Sequence, residues 1–305
     1  MHPALQTRLE QEGWSCVDGT KWTREKIISE IRNINGIVIR SRFMLDAEFL
    51  KNADKVKFIA RAGAGMENID VAAAEKLKIK CINAPEANRN AVAEHALGML
   101  LSLMNNLLNA DRDVRKGTWM REENRGFELD GKTVGIVGFG NTGSSFAKKL
   151  SGFDVNVLAF DPYIKIDQKK FPNVKQSEMN GLFSSCDIIS FHVPLTPETM
   201  LMVDDNYISN FTKSVYLINT SRGKVVNTSS IVKGVENGKI KGAALDVLEY
   251  ESVSFENLSK ELLPNSYRKL LSLKNVILSP HVAGWTHESH RKISEVLAEK
   301  ISALF

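Results

Sequence analysis

Cysteine is scarce in this sequence. Three cysteines occur among 305 residues, at Cys16, Cys81 and Cys186; their number is odd, their spacing is wide and none belongs to a C-x-x-C pair. A disulfide framework or a zinc site built on thiolates needs paired or closely spaced cysteines. The sequence therefore argues against both, and we expect three reduced thiols that are buried or nearly so.

Long apolar runs are also missing. No stretch reaches the roughly 18 consecutive apolar residues that a membrane-spanning helix requires. The amino-terminal stretch MHPALQTRLEQEGW carries acids and amides where a signal peptide has an apolar core. These two absences predict a soluble, cytoplasmic protein without a membrane partner.

Neither sign of charge dominates. Forty Lys and Arg against 36 Asp and Glu leave a net charge of +4, without the long basic runs that follow a nucleic-acid backbone. His287 and His290 are close in sequence, but their spacing suits a solvent-facing helix and no carboxylate pattern accompanies them. We therefore expect no nucleic-acid partner and no metal ion, and the small positive excess favours a small anionic ligand.

Short apolar strands dominate the chain from about Lys132 onward. Each is followed by a longer helical pattern, and the runs are continuous rather than alternating, which is typical of parallel strands covered by helices on both faces. The six runs are KTVGIVGF, DVNVLAF, DIISFHV, SVYLINT, GAALDVL and NVILSPH. This pattern predicts an α/β domain with a doubly wound parallel sheet.

A second, smaller α/β unit precedes this domain. GIVIR, VKFIARAG and IKCINAP are predicted strands separated by helical stretches. Residues 90–117 are apolar on most faces and predict one long linking helix, and the amphipathic segment 287–305 can fold back onto the first unit. We therefore predict a domain at residues 85–281 that is inserted into a smaller one formed by residues 1–84 and 282–305.

The stretch TVGIVGFGNTG places Gly138, Gly140 and Gly143 at the spacing G-x-G-x-x-G. Alone this spacing is a weak signal, because tight strand-to-helix turns often contain glycine. Here it follows a strand and opens a helix, whose first amides can bind a pyrophosphate. Asp161 ends the next strand at about the spacing expected of the acid that binds the adenosine ribose. The context favours a dinucleotide, and a carboxylate at this place favours NAD over NADP.

Three later strand ends carry residues suited to chemistry. Arg222 directly follows one strand in INTSRGKVV, Glu251 follows the next in ALDVLEYE, and His281 follows the last in LSPHVAG. Ligands of doubly wound sheets bind beyond the carboxyl ends of the strands. Taken singly, Arg222 is equally readable as a salt-bridge partner and His281 as a buried strand-end histidine, so their coincidence at one edge is the signal.

Seven stretches resemble the D-isomer-specific 2-hydroxyacid dehydrogenases, and within that family the phosphoglycerate dehydrogenases. They occur in family order over nearly the whole chain: ARAGAGMENIDV, NAPEANRNAVAEHALGMLL, GKTVGIVGFGNTG, FHVPLTPET, INTSRGKVVN, GAALDV and SPHVAG. The resemblance implies two Rossmann-like domains, the smaller one flavodoxin-like, and hydride transfer between NAD and C2 of a D-2-hydroxyacid. It also implies that Arg222, Glu251 and His281 are catalytic.

The same resemblance implies two sets of binding residues. The residues implied to contact NAD are Gly138, Gly140, Asn141, Thr142, Gly143, Asp161, His192, Pro194, Thr220, Ser221, Asp246, Ala283 and Gly284. Those implied to hold the substrate carboxylate are Arg61, Ala62, Gly63, Ala64, Gly65 and Asn88.

The residue types agree with this chemistry. Reduction of a 2-keto acid needs a proton at the carbonyl oxygen, and histidine titrates in the range that suits a general acid. A carboxylate beside His281 would stabilise its imidazolium form and fix the ring tautomer. Arginine binds a carboxylate bidentately. Glu249 is a rival for the carboxylate role, because Ser252 stands where the family usually has proline after the glutamate; the position five residues after Asp246 favours Glu251.

Several alternatives stay open at this stage. D-3-phosphoglycerate is the plausible substrate, with Arg40, Arg42, Arg61 and Arg89 as phosphate contacts; glyoxylate or hydroxypyruvate reduction is the nearest enzymatic alternative. An NAD-sensing corepressor on the same scaffold is the rival from another class. The segment WMREENRGFEL, which begins at Trp119, suggests a subunit contact and a homodimer, or else a loop that caps the domain. The long stretch 252–275 is expected to cover the substrate pocket.

Overall fold

A computed structural model describes residues 1–251 and 263–305. Within these ranges the chain divides into two compact units. The terminal unit contains residues 1–88 and 285–305, and the central unit contains residues 89–251 and 263–284. The chain passes from one unit to the other next to Asn88 and again next to Gly284. The predicted covering segment 252–275 falls partly on residues 252–262, which lie outside the described residues.

The terminal unit is built on a parallel sheet. Its three described strands are β1 (Gly36–Ile39), β2 (Phe58–Arg61) and β3 (Lys80–Asn83), in the spatial order β1-β2-β3. Its helices are α1 (Pro3–Gln11), α2 (Arg24–Glu30), α3 (Ala47–Leu50), α4 (Val71–Lys76) and, from the end of the chain, α12 (His287–Ser302). The register aligns Ile39, Arg61 and Asn83 at the carboxyl edge, so the residues that follow them emerge together.

Helix α12 belongs to this unit because of its apolar stripe. Ile293, Leu297 and Ile301 recur at helical spacing and are buried in one core with Leu5 and Leu9 of α1. A capping box at Thr286 fixes where α12 begins. The end of the chain is therefore held by side-chain burial against the beginning of the chain.

The central unit contains a sheet with seven described strands, all parallel. They are β4 (Thr133–Val137), β5 (Asn156–Phe160), β6 (Val174–Gln176), β7 (Ile188–Phe191), β8 (Val215–Asn219), β9 (Ile240–Leu245) and β10 (Val276–Leu278). The helices are α5 (Arg89–Met104), α6 (Leu107–Arg115), α7 (Asn141–Leu150), α8 (Met179–Ser185), α9 (Asp205–Ser209), α10 (Thr228–Glu236) and α11 (Asn265–Ser272). Two short 3₁₀ turns, Ile31–Asn33 and Gly223–Val225, complete the assignment of both units.

The strand order of this sheet is β10-β9-β8-β7-β4-β5-β6. Two separate apolar clusters cover its two faces, and the strands β7 and β8 are buried along their whole length. This explains the continuous apolar runs of the sequence, and the prediction of parallel α/β units is confirmed. The order reverses between β4 and β7, and at such a switch point the connections diverge and leave a crevice at the carboxyl edge.

Two elements of the central unit differ from the sequence prediction. Strand β6 was not predicted, because its three residues include one apolar side chain, Val174. The single helix expected over residues 90–117 is wrong: the chain forms α5 and α6, which are separated at Asn105 and Asn106. Asn106 has the left-handed φ of 51°, which asparagine tolerates. At this point Phe127 N donates to Met104 O and Asn106 Nδ2 donates to Arg125 O. Residues 125–127 therefore supply hydrogen-bond partners that a continued helix would have supplied.

Three further observations concern membrane spans, clusters of metal-ligating side chains and cysteines. Within residues 1–251 and 263–305, no helix combines the length and apolarity needed to cross a membrane. Over the same ranges, no group of three or more His, Cys, Asp or Glu side chains is placed to hold a metal ion. The three cysteines are free thiols; Cys186 is buried, and burial raises its pKa to about 12.

Candidate active site

The glycine-rich loop lies between β4 and α7, at the switch point of the central sheet. Gly138 has a φ of 89°, and a Cβ added there would lie 2.6 Å from His192 O. A Cβ added at Gly143 would overlap Gly138 O, so this glycine lets α7 approach the strand. Around Gly140, in contrast, no atom of the described residues other than its chain neighbours lies within 4 Å of such a Cβ. Packing explains the first and third glycines, and the open space at Gly140 fits a ligand that approaches the backbone.

Asp161 lies beside this loop, directly after β5. Its Oδ2 accepts a hydrogen bond from Phe139 N at 2.7 Å, and its Oδ1 accepts from Tyr163 N and Ile164 N at 2.9 and 3.0 Å. Phe139 stands between the first two glycines, so the carboxylate is tied to the loop itself. A fixed negative charge at this edge fits ribose hydroxyls and opposes a 2′-phosphate.

The ends of β7 and β8 supply further polar groups. His192 is buried with its Nε2 2.9 Å from Ser190 Oγ, and burial lowers its pKa to about 3, so the ring is neutral at physiological pH. Thr220 Oγ1 is buried and has no hydrogen-bond partner among the described residues. Because buried hydroxyls are normally satisfied, Thr220 fits a donor or acceptor supplied by a ligand. Pro194 lies two residues after His192, beyond the end of β7, and its carbonyl oxygen accepts a hydrogen bond from Thr199 Oγ1.

The turn after β8 is organised by a residue that the sequence prediction missed. Asn219 is fully buried; its Oδ1 accepts from Ser221 N and Ser221 Oγ, and its Nδ2 donates to Arg222 O at 2.9 Å. Such a turn is a common use of asparagine at a strand end. Asn219 thus fixes the backbone that carries Arg222, whose guanidinium donates from Nη1 to Ser221 O at 2.7 Å. In the sequence, the position of Asn219 directly before Thr220 could have indicated its role in this turn.

Glu251 and His281 are in direct contact. His281 Nδ1 lies 2.8 Å from Glu251 Oε2, and the other carboxylate oxygen accepts from Leu248 N. The rival acid, Glu249, points elsewhere: its Oε2 accepts from Thr228 N at the start of α10. Since the two ring nitrogens lie on opposite sides of an imidazole, the contact with Glu251 directs His281 Nε2 away from the carboxylate.

The loop of Arg222 and the loop of Glu251 pack closely. A Cβ added at Gly223 would overlap Leu248 O and would lie 2.7 Å from Glu249 N. Strands β8, β9 and β10 are neighbours in the sheet, so their carboxyl ends present Arg222, Glu251 and His281 along one edge. The central unit therefore places Arg222, Glu251 and His281 after three adjacent strands, and the carboxylate and the imidazole are in direct contact.

Asp246 holds the turn that contains His281. The backbone amide of His281 donates to Asp246 O at 2.7 Å, Val282 N donates to Oδ1 and Ala283 N donates to Oδ2, both at 2.9 Å. His281 adopts a φ of 55°, which is uncommon for a residue with a side chain. Three consecutive amides bound to one residue account for this conformation. The structure thus shows a role for Asp246 in this turn, and the contact of Asp246 with NAD stays a prediction.

The carboxylate of Asp246 is ionised in this environment. Burial by itself would raise its pKa, but hydrogen bonds from His95, Ser279 and the amides of Ala283 and Val282 hold the pKa below its ordinary value. His95 and Ser279 were not predicted as site residues. Ser279 lies in the SPHVAG stretch next to His281. His95 lies in the stretch NAPEANRNAVAEHALGMLL on α5, far from Asp246 in sequence.

The predicted substrate loop belongs to the terminal unit. It follows β2, where Arg61 Nη1 donates to Ala62 O and Gly63 N donates to Arg61 O. Asn83 Nδ2 donates to Ala64 O and so ties the loop to β3. Gly63 has a φ of 148° and the Arg61 guanidinium lies over it, so a side chain would collide there. Gly65 completes this loop.

Asn88 and three of the predicted phosphate contacts, Arg40, Arg42 and Arg61, lie in the terminal unit, whereas Arg89 begins α5 in the central unit. Asn88 Oδ1 is buried without a hydrogen-bond partner in the described part of the chain. The guanidinium of Arg40 lies over the Trp285 ring at 3.5 Å from its centroid. That of Arg42 donates to Gly19 O and Trp22 O. Arg42 therefore has a structural use in the terminal unit.

These features define the class of protein: a Rossmann dinucleotide-binding domain whose strand ends carry an acid-base pair. Residues 97–283 match the model of the family described as D-isomer specific 2-hydroxyacid dehydrogenase, NAD binding domain. The chain belongs to the D-isomer specific 2-hydroxyacid dehydrogenase family, which confirms the predicted family and its cofactor, NAD.

Named relatives carry different activities within this family. The chain is 36% identical over 293 residues to a D-3-phosphoglycerate dehydrogenase of Archaeoglobus fulgidus, covering 96% of this chain and 54% of the relative. It is 35% identical over 287 residues to a glyoxylate reductase of Thermofilum pendens, covering 92% and 81%. The chain thus spans about half the length of the phosphoglycerate dehydrogenases it matches.

A solved relative supports the fold. The structure of a D-lactate dehydrogenase from Aquifex aeolicus, complexed with NAD and lactic acid, matches with a TM-score of 0.84 at 29% identity, covering 99% of this chain and 92% of the other. The architecture of a parallel sheet with helices on both faces is therefore shared with a dehydrogenase of known structure.

Proposed function

We propose that this protein is an NAD-dependent dehydrogenase that transfers a hydride between the nicotinamide and C2 of a D-2-hydroxyacid or 2-keto acid. One observation carries the proposal: His281 Nδ1 lies 2.8 Å from Glu251 Oε2, beside the strand end of Arg222. In doubly wound sheets this edge is where ligands bind. The family of the chain and the glycine loop support the same assignment.

Each of the three residues has a distinct task in this reaction. His281 Nε2 donates a proton to the carbonyl oxygen during reduction and accepts it from the hydroxyl during oxidation. Glu251 stabilises the imidazolium form and keeps the proton of the neutral ring on Nδ1 when Nε2 acts as the base. Arg222 binds the substrate carboxylate and polarises the adjacent carbonyl. NAD held at this edge would supply the hydride acceptor for oxidation of C2, and NADH the hydride donor for the reverse reaction.

The cofactor site is assigned to the glycine loop and the residues around it. The loop Gly138 to Gly143 receives the pyrophosphate and Asp161 the adenosine ribose. Thr220 provides an unsatisfied hydroxyl, and the remaining contacts follow the predicted set. The loop Arg61 to Gly65 and Asn88 hold the substrate carboxylate.

D-3-phosphoglycerate is the substrate we propose, with glyoxylate or hydroxypyruvate as the alternative. Relatives with either activity cover more than nine tenths of this chain. Arg40 and Arg61 favour the phosphorylated acid because Arg40 directly follows β1 and Arg61 ends the neighbouring strand β2. The structural contacts of Arg42 favour the smaller acids.

An NADH oxidation assay with four keto acids tests these proposals. The acids are 3-phosphohydroxypyruvate, hydroxypyruvate, glyoxylate and pyruvate. We expect turnover of at least one, and fastest turnover of 3-phosphohydroxypyruvate. Turnover of none, with NADH binding intact, would refute the enzyme and favour an NAD-sensing protein that recruits a partner.

The matched variants are His281→Asn and His287→Asn. Asparagine tolerates the left-handed φ of His281, so the first variant removes the imidazole while keeping the turn. We expect it to lower kcat/KM by about 10²-fold, in line with the loss of a general acid. His287 is exposed on α12 and its replacement should leave kcat/KM unchanged.

We also propose that the protein forms a homodimer through the segment 107–127 of the central unit. Leu107 and Val114 lie one heptad apart on α6 and are exposed, and Trp119 and Phe127 follow them, with Trp119 77% exposed. Several exposed apolar side chains of this size within one short segment favour a contact with another molecule. A second copy of the chain is the partner we assign to this surface.

A further inference from the structure

A chain of partly buried hydrogen bonds connects helix α5 to the turn of His281. His95 Nε2 lies 2.9 Å from Ser279 Oγ, and Ser279 Oγ lies 2.6 Å from Asp246 Oδ1. The side chain of Asp246 is 1% exposed and that of His95 is 28% exposed. The three groups come from α5, from the residue after β10 and from the residue after β9, all within the central unit.

The direction of these bonds follows from the donors available. The carboxylate of Asp246 is ionised and can only accept, so the 2.6 Å contact uses the hydroxyl proton of Ser279. Ser279 Oγ must then accept from His95, which places a proton on His95 Nε2. The alternative acceptor for the serine proton, Met99 Sδ at 3.6 Å, is a weaker partner.

Serine, histidine and aspartate are the residues of a hydrolytic triad, but the order of their hydrogen bonds here differs from that of a triad. In such a triad the serine proton is directed to the histidine, and the aspartate binds the opposite ring nitrogen. Here the serine proton is directed to Asp246, and the nearest ring nitrogen to Asp246 is again His95 Nε2, at 3.5 Å. Ser279 is therefore not activated as a nucleophile.

The receiving end of the chain is the backbone of the His281 turn. Asp246 Oδ1 accepts from both Ser279 Oγ and Val282 N, while Oδ2 accepts from Ala283 N. A rotation of the carboxylate would therefore disturb the amides on the carboxyl-terminal side of His281. His281 holds a φ of 55°, which persists only where its surroundings enforce it.

We propose that His95 is a positioning residue for His281. By donating from Nε2 to Ser279, it commits the serine proton to Asp246, and Asp246 in turn fixes the turn that orients the imidazole of His281. This inference rests on the proposed function for its effect on turnover, but its effect on the turn itself is independent of any reaction.

Two substitutions of His95 separate the donor from the ring. His95→Leu removes the N–H, whereas His95→Gln places an amide N–H near the position of Nε2. We expect His95→Leu to lower kcat by about tenfold, since small displacements of catalytic groups have effects of this order or larger. The KM for the keto acid and the Kd for NADH should change less than about twofold, and His95→Gln should recover most of the lost kcat.

Amide hydrogen exchange provides the readout that needs no turnover. In His95→Leu the amides of residues 281–283 should exchange about tenfold faster than in the wild type, and in His95→Gln near the wild-type rate. His287→Leu is the matched control for both measurements, because His287 is exposed and takes no part in these hydrogen bonds. Ser279→Ala should reproduce the kcat and exchange effects of His95→Leu, and it replaces that variant if His95→Leu does not fold.

The outcomes are distinguishable. Unchanged kcat and unchanged exchange in His95→Leu would overturn the inference, as would equal impairment of kcat by His95→Gln and His95→Leu. If the wild type reduces none of the keto acids, the proposed function fails; faster exchange at residues 281–283 in His95→Leu would then still support the positioning role, and unchanged exchange would reject it.

Discussion

At the level of single side chains, two glutamates two residues apart have different partners. Glu251 contacts the imidazole of His281, whereas Glu249 accepts from the amide at the start of α10. Both are carboxylates on the same loop, so their chemical nature alone does not distinguish them. Their partners predict different consequences of the same substitution.

We expect Glu251→Gln to lower kcat/KM by about 10- to 100-fold, because the neutral amide no longer stabilises the imidazolium of His281. Glu249→Gln should leave kcat/KM within about threefold and lower the free energy of unfolding by about 0.3–1 kcal/mol, the usual range for a charge at a helix N-terminus. Steady-state kinetics and urea denaturation of both variants measure this. The reverse pattern would assign the catalytic carboxylate to Glu249.

Asp161 combines two roles that one substitution can separate. In the proposed cofactor site its carboxylate would repel a 2′-phosphate, and it accepts hydrogen bonds from Phe139 N, Tyr163 N and Ile164 N. Asp161→Asn keeps an acceptor oxygen while removing the charge, so the glycine loop is disturbed less than by alanine. We expect the ratio of kcat/KM with NADP to that with NAD to rise about tenfold or more. An unchanged ratio would mean that the charge of Asp161 does not select the cofactor.

The sequence predicted the reacting groups of the candidate site better than the groups that hold them. His281 and Glu251 follow strand ends, where groups suited to chemistry were expected. Asn219 and His95 act through hydrogen bonds to backbone or to residues distant in sequence, and His95 meets Ser279 across 184 positions of the chain. Such partners are set by the packing of α5 against the sheet, which no local pattern encodes.

At the level of elements, the continuous apolar runs were sufficient to predict the strands of a parallel sheet, because burial on both faces removes polar residues from them. The break between α5 and α6 was not predictable in the same way. The residues on both sides favour a helix, and the left-handed Asn106 is stabilised by contacts with residues 125–127. Tertiary hydrogen bonds thus override a continuous helical pattern.

The close packing of the loop of Arg222 against the loop of Glu251 can be tested at Gly223. A side chain there would overlap Leu248 O, so the loop of Arg222 would have to move away from the loop of Glu251. We expect Gly223→Ala to lower kcat/KM by about 10²-fold, as expected for misplaced catalytic groups. Steady-state kinetics measure the effect.

Gly98→Ala is the matched control for this experiment. Gly98 lies within α5, and apart from the nearby backbone of that helix no atom in the described part of the chain lies within 4 Å of an added Cβ. The substitution should leave kcat/KM unchanged and raise the free energy of unfolding by up to about 1 kcal/mol, because alanine favours a helix over glycine. Equal kinetic effects of the two substitutions would contradict the role assigned to close loop packing.

At the level of the whole molecule, the two ends of the chain form one unit and the middle forms another. The apolar stripe of α12 was visible in the sequence and indicated that the last helix packs in the terminal unit. The exposed apolar side chains of segment 107–127 belong to the central unit and are not explained by burial within it. They are the feature of the molecule that most directly indicates assembly.

The homodimer makes a definite prediction about mass. A two-fold interface uses the same patch on both copies, so one charge added to the patch appears twice at the contact and cannot be paired with itself. We expect Trp119→Glu to lower the molecular mass measured by sedimentation from about twice 34.0 kDa, the mass of a dimer, toward 34.0 kDa, the mass of one chain. Tyr163→Glu is the matched control, because Tyr163 is 88% exposed but lies outside the segment. A wild-type protein that sediments as a monomer, or a Trp119→Glu variant that remains a dimer, would place the subunit contact elsewhere or remove it.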